Sequence, residues 1–178
     1  MSRWSRCCAV ALILLAHAAA QGQAPAQENA SCLKFVQQFY GWYVPLIWKT
    51  TDRRTSDVAI ERRPEVFGPR LLRALKSDAE VAARTKGDEA LDFDPFVGSQ
   101  DPADRYEVRH VTSRNGTCAA EIWGVSKDGR TENAGKPDAV ADLALDRGNW
   151  QFINFHYPEL NTDLISVLAQ LEQEQRKH

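Results

Sequence analysis

The second half of the chain restricts its fold most. Residues 106–112, 117–125, 139–145 and 150–157 each read as a strand, with Ala141, Leu143 and Leu145 on one face of the third. The "RNG" at 114–116 joins the first two, because Asn-Gly accepts the left-handed backbone of a tight hairpin. "DRGN" at 146–149 turns the third run into the fourth, and the polar loop "SKDGRTENAGKPD" at 126–138 separates the second from the third. Four strands linked by turns make an antiparallel meander, and its apolar face needs covering.

The first half supplies the cover. From Cys32 to about Trp48, the apolar positions Leu33, Phe35, Val36, Phe39, Tyr40, Tyr43, Leu46 and Ile47 recur every three or four residues. Ser31 is placed to cap this helix, and Pro45 is expected to end or kink it. Residues 49–63, "KTTDRRTSDVAIERR", read as a polar surface loop with a short extended piece. Residues 64–69 turn into a second helix, carried by Leu71, Leu72, Leu75, Ala79 and Val81 and stopped at Gly87. After the strands, Leu164, Ile165, Leu168 and Leu171 form a last helical stripe, capped by Asn161 or Thr162. The expectation is an α+β domain: N-terminal helices packed on a curved four-stranded antiparallel sheet, with a C-terminal helix.

The N-terminus stands outside that domain. Arg3 and Arg6 precede the apolar run "CAVALILLA" and the small, polar "HAAAQGQA", the three-part layout of a secretory signal peptide. Ala18 and Ala20 suit cleavage after residue 20. The expected organisation is therefore a signal peptide at 1–20, a disordered leader at 21–30 and one domain at 31–178. The apolar run is about half the length of a membrane span, and no cysteine follows it closely, so no membrane anchor is expected after cleavage. Cys7 and Cys8 leave with the signal, while Cys32 and Cys118 remain as one pair in an oxidising compartment. A disulfide between them is expected, against the alternative of two buried thiols. It would close a long loop worth roughly 4–5 kcal/mol in the chain-entropy picture. The localisation expected is periplasmic or secreted. A formal charge of −2 offers no field to gather nucleic acid, and no nucleic-acid partner is expected.

"FYGWY" at 39–43, "FGPRLLRAL" at 67–75, "DFDPFVGSQD" at 92–101 and "NWQFINFHYP" at 149–158 occur in that order. Together they resemble the bacterial exported domain-of-unknown-function family that includes the YbjP and YqhG lipoproteins, over about residues 32–160. The resemblance implies a cystatin-like, nuclear-transport-factor-2-like fold, with helices cupped by a curved sheet. It supplies no catalytic residues. This chain differs from those lipoproteins in lacking a lipid-attachment cysteine.

"DFDPFVGSQD" is the stretch richest in candidate chemistry. As a calcium loop starting at Asp92 it fails: Phe96 stands where a ligand belongs, Val97 where glycine does, and Ala103 where glutamate does. An irregular site from Asp92, Asp94 and Asp101 is the remaining metal reading. A glycosidase pair from Asp92 and Asp94 would need carboxyls on opposite sides of a substrate, which one short loop does not ensure. The favoured reading is a hinge: Asp94-Pro95 starts a turn, Phe93 and Phe96 pin the loop, Gly98 bends it, and Gln100 and Asp101 satisfy backbone donors. A pocket rim that contacts a ligand is the alternative.

Elsewhere, His110 and His156 lie on separate strands without a third ligand unless Cys118 is reduced. No G-x-S-x-G elbow occurs. No metal, cofactor or catalytic residue is expected. Tyr40, Trp42, Tyr43 and Trp48 read as a core stripe with a wet edge, or as the lining of a helix–sheet cavity. The arginine pairs in "DRRTSDVAIERR" read as a solvated loop, or as a docking patch. The leading expectation is an exported non-enzymatic binding module, such as an envelope inhibitor or immunity-type protein with a protein partner. The alternative is a small-molecule-binding or hydrolase-like protein that uses a helix–sheet pocket; a third is an envelope structural factor. Candidate contact residues are Tyr40, Tyr43, Asp94, Gln100, Asp101 and His156.

Overall fold

A computed structural model describes residues 18–49, 52–131 and 135–177. Most of the expected signal peptide, residues 1–17, lies outside the described residues. The elements run α1 (Ala18–Ile47), α2 (Thr55–Arg62), a 3-10 turn (Pro64–Val66), α3 (Pro69–Thr85), β1 (Arg105–Arg114), β2 (Thr117–Val125), β3 (Ala139–Asp146), β4 (Asn149–Tyr157), β5 (Thr162–Asp163) and α4 (Leu164–Gln175). The sheet order is β1-β2-β3-β4-β5, with every neighbouring pair antiparallel.

The meander forms where the turn chemistry demanded it. Asn115 and Gly116 take φ of 52° and 73°, and Arg147 and Gly148 take 49° and 85°. Both pairs supply the left-handed geometry of tight hairpins. One shift of register falls between Arg109 and Val111, at His110, and another between Asp142 and Leu143. Such bulges bend strands and curve a sheet over its cover. The expected four strands are present, and a two-residue β5 joins β4 opposite His156 and Tyr157. A strand that short has no alternation to read.

α1 buries Cys32, Val36, Phe39, Tyr40 and Tyr43 along one side. Phe39 stacks on Tyr43 at 5.3 Å between ring centroids and meets Phe152 of β4 at 4.8 Å and Phe96 at 5.6 Å, both edge-on. Phe67, Leu71 and Leu75 enter from the start of α3, and Ile122, Leu143 and Phe155 rise from the sheet. The disulfide Cys32–Cys118 is formed and ties α1 to β2, with 6.6 Å between the Cα atoms.

Five local expectations need correction. Residues 21–30, expected as a loose leader, belong to α1. Asn29 Oδ1 accepts from the Ser113 amide at 2.6 Å, and Ser31 Oγ accepts from Trp150 Nε1 at 3.0 Å. These bonds tie the helix to the sheet at Asn29 and Ser31, and because α1 begins at Ala18, Ser31 sits inside the helix and is not its cap. Pro45 does not stop α1 at once, but the helix ends at Ile47, two residues past it. The polar run at 49–63 contains α2, with Ser56, Val58, Ala59 and Ile60 buried. α4 is capped by Asp163, whose carboxylate accepts from the Ser166 amide at 3.1 Å and its hydroxyl at 2.6 Å.

Candidate functional site

Three tyrosines from two elements fasten residues 92–101. Tyr43 of α1 donates to Asp94 Oδ2 at 2.6 Å, Tyr40 donates to the Phe96 carbonyl, and Tyr157 of β4 donates to the Pro95 carbonyl at 2.8 Å. Asp94 closes the turn from within: its Oδ1 accepts from the Phe96 amide at 3.0 Å, and its carbonyl accepts from the Gly98 amide at 2.8 Å. The Phe96 ring is fully buried, and Phe93 meets Tyr157 edge-on at 5.2 Å. Gly98 is required at φ 68°, where a Cβ would come within 2.8 Å of the Asp138 carbonyl.

The Asp94 carboxyl is hemmed in by protein, and burial pushes its pKa up to about 6. The Tyr43 hydroxyl and the Phe96 and Val97 amides pull the other way without cancelling the desolvation. Burial and the neighbouring carboxyl likewise hold the Tyr40 and Tyr43 phenols well above the ordinary tyrosine range. The hydroxyls stay protonated as donors, which suits them to structure and not to proton transfer near neutrality.

The six candidate contact residues separate. Asp94 and Gln100 line one recess of about 460 Å³ under the loop, beside Asp92, whose Oδ2 accepts from Gln100 Nε2 at 2.9 Å. Asp101 is held through its own main chain: its amide donates to Ser99 Oγ at 3.0 Å and its carbonyl accepts from the same hydroxyl at 2.7 Å. The side chains of Gln100 and Asp101, expected to satisfy backbone donors, do not do so among the described residues, Gln100 bonding Asp92 instead. Tyr40 and Tyr43 point their hydroxyls into the loop's packing. His156 Nε2 lies 2.6 Å from Asp142 Oδ2, on β4 and β3. Trp48 is 56% exposed and is not part of the core stripe. Among the described residues no group of three His, Cys, Asp or Glu is placed to hold a metal ion.

A residue given no role by sequence holds the centre of this region. Arg54, just before α2, grips Asp57 through Nε at 3.0 Å and Nη2 at 2.7 Å, and Asp78 of α3 through Nη1 at 2.8 Å. Asp78 Oδ1 in turn accepts from the Leu91 amide at 2.9 Å. The network joins α2, α3 and the loop. Its sequence signal was only the "DRR" cluster, indistinguishable from solvated charge. Between α2 and α3 lies a groove of about 850 Å³, floored by Ile60, Ala79, Ala82 and Ala83 and rimmed by charges of both signs, among them Glu61 and Lys76. It adjoins the recess, because Arg53, Arg54, Lys86 and Gly87 line both.

No protein-family model, curated protein or solved structure matches this chain. Geometry and chemistry therefore carry the assignment. The space between α1 and the sheet, where the alternative reading placed a helix–sheet pocket, is occupied by Phe39, Phe67, Phe96, Phe152 and Phe155. At its margin Tyr40 and Tyr106 line an open groove of about 580 Å³ between α1 and β1. Trp42 lies under the Arg63 guanidinium at 4.4 Å, and Trp123 under Arg109 at 5.1 Å. Among the described residues no helix is long and apolar enough to cross a membrane.

Proposed function

We propose that the protein is an exported, non-enzymatic binding module whose α2–α3 groove receives a segment of a protein partner in the cell envelope. The carrying observation is the groove itself. Ala79, Ala82 and Ala83 leave a floor of small side chains on α3, so another backbone can approach closely. Ile60 adds apolar area, and Lys76, Glu80, Glu61 and Arg53 set a polar rim that fixes orientation. An inhibitor or immunity-type protein guarding the envelope is one form of this reading. The cystatin-like arrangement and membership of the exported lipoprotein-related family belong to the same proposal.

Export is supported by the Cys32–Cys118 disulfide, a bond that persists in oxidising compartments, together with the layout of residues 1–20. The non-enzymatic reading is supported by Asp94, whose two oxygens are engaged by Tyr43 and Phe96 and whose turn holds the fold. A photo-crosslinking residue at Ala83 tests the groove in envelope extract. A discrete crosslinked partner, lost when Ala79→Arg fills the floor, is the expected result. Crosslinking unaffected by Ala79→Arg, or no discrete product, would sink the reading.

A further inference from the structure

We infer that the recess under the 92–101 loop binds a small zwitterion of the α-amino-acid class with an apolar side chain. This site adjoins the groove and shares Lys86 with it, but its occupancy does not require partner capture there. Its volume of about 460 Å³ falls within the range of small-molecule sites.

The carboxylate end is set by α2. The first amides bonded within this helix are those of Asp57 and Val58, both to the Arg54 carbonyl, and no side chain caps the helix. The Thr55 and Ser56 amides precede those bonds, at the end of the helix that favours an anion. Ser56 adds an independent sign. It lines the recess, is only 8% exposed, and its hydroxyl has no hydrogen-bond partner among the described residues. No described buried side-chain polar atom is sealed off without a partner, so this hydroxyl opens onto the recess. Lys86 brings positive charge to the same recess.

The ammonium end is set by the loop. Asp92 lines the recess, and the Gln100 bond occupies only its Oδ2. Asp94 lines it too, but both its oxygens are already engaged, by Tyr43 and the Phe96 amide, so the ammonium falls to Asp92. Ile47, Leu91, Phe93 and Pro102 supply apolar lining for a side chain. Charge selects the ligand class. Arg54 is neutralised by Asp57 and Asp78, and Arg53 pairs with Glu61 at 2.7 Å. What is left is Lys86 and Asp92 lining one recess, so a molecule carrying both signs fits where a bare anion or a bare cation would leave one charge unmatched.

Calorimetric titration of the oxidised full chain tests this with L-leucine, N-acetyl-L-leucine and L-leucinamide. Saturable binding of leucine is expected, with the two blocked probes at least about tenfold weaker. Asp92→Asn should weaken leucine and leave N-acetyl-leucine unchanged. Lys86→Asn should weaken leucine and leave leucinamide unchanged; asparagine tolerates the left-handed backbone at this position, φ 57°. Both substituted residues are at the surface, so the fold should survive, and a far-UV spectrum checks it. No leucine binding up to about 10 mM, or equal binding of all three probes, overturns the inference. Neither result touches the groove, because the Ala83 crosslink reads that surface separately.

Discussion

Replacing Asp94 by asparagine removes a titrating proton and keeps one carbonyl acceptor in the same place. In the fold the carboxyl is pushed to about 6, against an ordinary value of 3.8. The gap corresponds to about 3 kcal/mol in favour of the neutral form. The folded state holds this proton more tightly than the unfolded chain does. Its contribution is therefore complete below about pH 4 and is lost as the pH rises through 6. Above that, the fold must hold a carboxylate where burial disfavours it. Urea unfolding of the oxidised wild type and of Asp94→Asn, at intervals from about pH 3.5 to pH 7.5, isolates the effect, since all other carboxyls titrate in both proteins. The stability of the variant relative to wild type should rise by about 3 kcal/mol across that range, mostly between pH 4 and 6. Lost or altered bonds to Tyr43 and the Phe96 amide shift the whole curve without changing its slope. A flat difference, or one that falls with pH, would show that burial does not govern this carboxyl.

Three further outcomes follow from the packing. Removing the disulfide by Cys32→Ser with Cys118→Ser should cost roughly 3–5 kcal/mol by denaturant unfolding, because the bond closes an 86-residue separation; no change would mean that the unfolded chain is already restrained. Phe152→Ala empties a fully buried site shared with Phe39 and Phe155 and should cost about 3–5 kcal/mol by the same assay. Arg54→Ala leaves Asp78, 6% exposed, with only the Leu91 amide. A loss of about 2 kcal/mol is expected, with faster hydrogen exchange at the amide of Leu91.

How far the fold was legible depended on the range of the signal. Asn115-Gly116 and Arg147-Gly148 announce hairpins within two residues, and the aromatic spacing of Phe39, Tyr40 and Tyr43 announces a buried helical face. α2 was missed because Val58, Ala59 and Ile60 are consecutive and carry no helical period; only burial against α3 makes that run a helix. The N-terminal turns of α1 were missed for a related reason. The tertiary bonds of this helix at Asn29 and Ser31 go to Ser113 and Trp150, 84 and 119 positions away.

The candidate site divides along the same line. Local chemistry alone determined that 92–101 is a turn, since an aspartate before proline and a bending glycine act over three or four residues. It also pointed to the pairing of Cys32 with Cys118, the one pair left if Cys7 and Cys8 belong to the expected signal peptide. Tertiary structure alone decided what the turn does. It brought Tyr40, Tyr43 and Tyr157 onto the loop's carbonyls and carboxyl, sent His156 to Asp142 on the sheet, and set Ser56, Lys86 and Asp92 around one recess. The physical reason is that a hydrogen bond or a charge pair depends on distance in space, and these partners come from elements that sequence order keeps far apart.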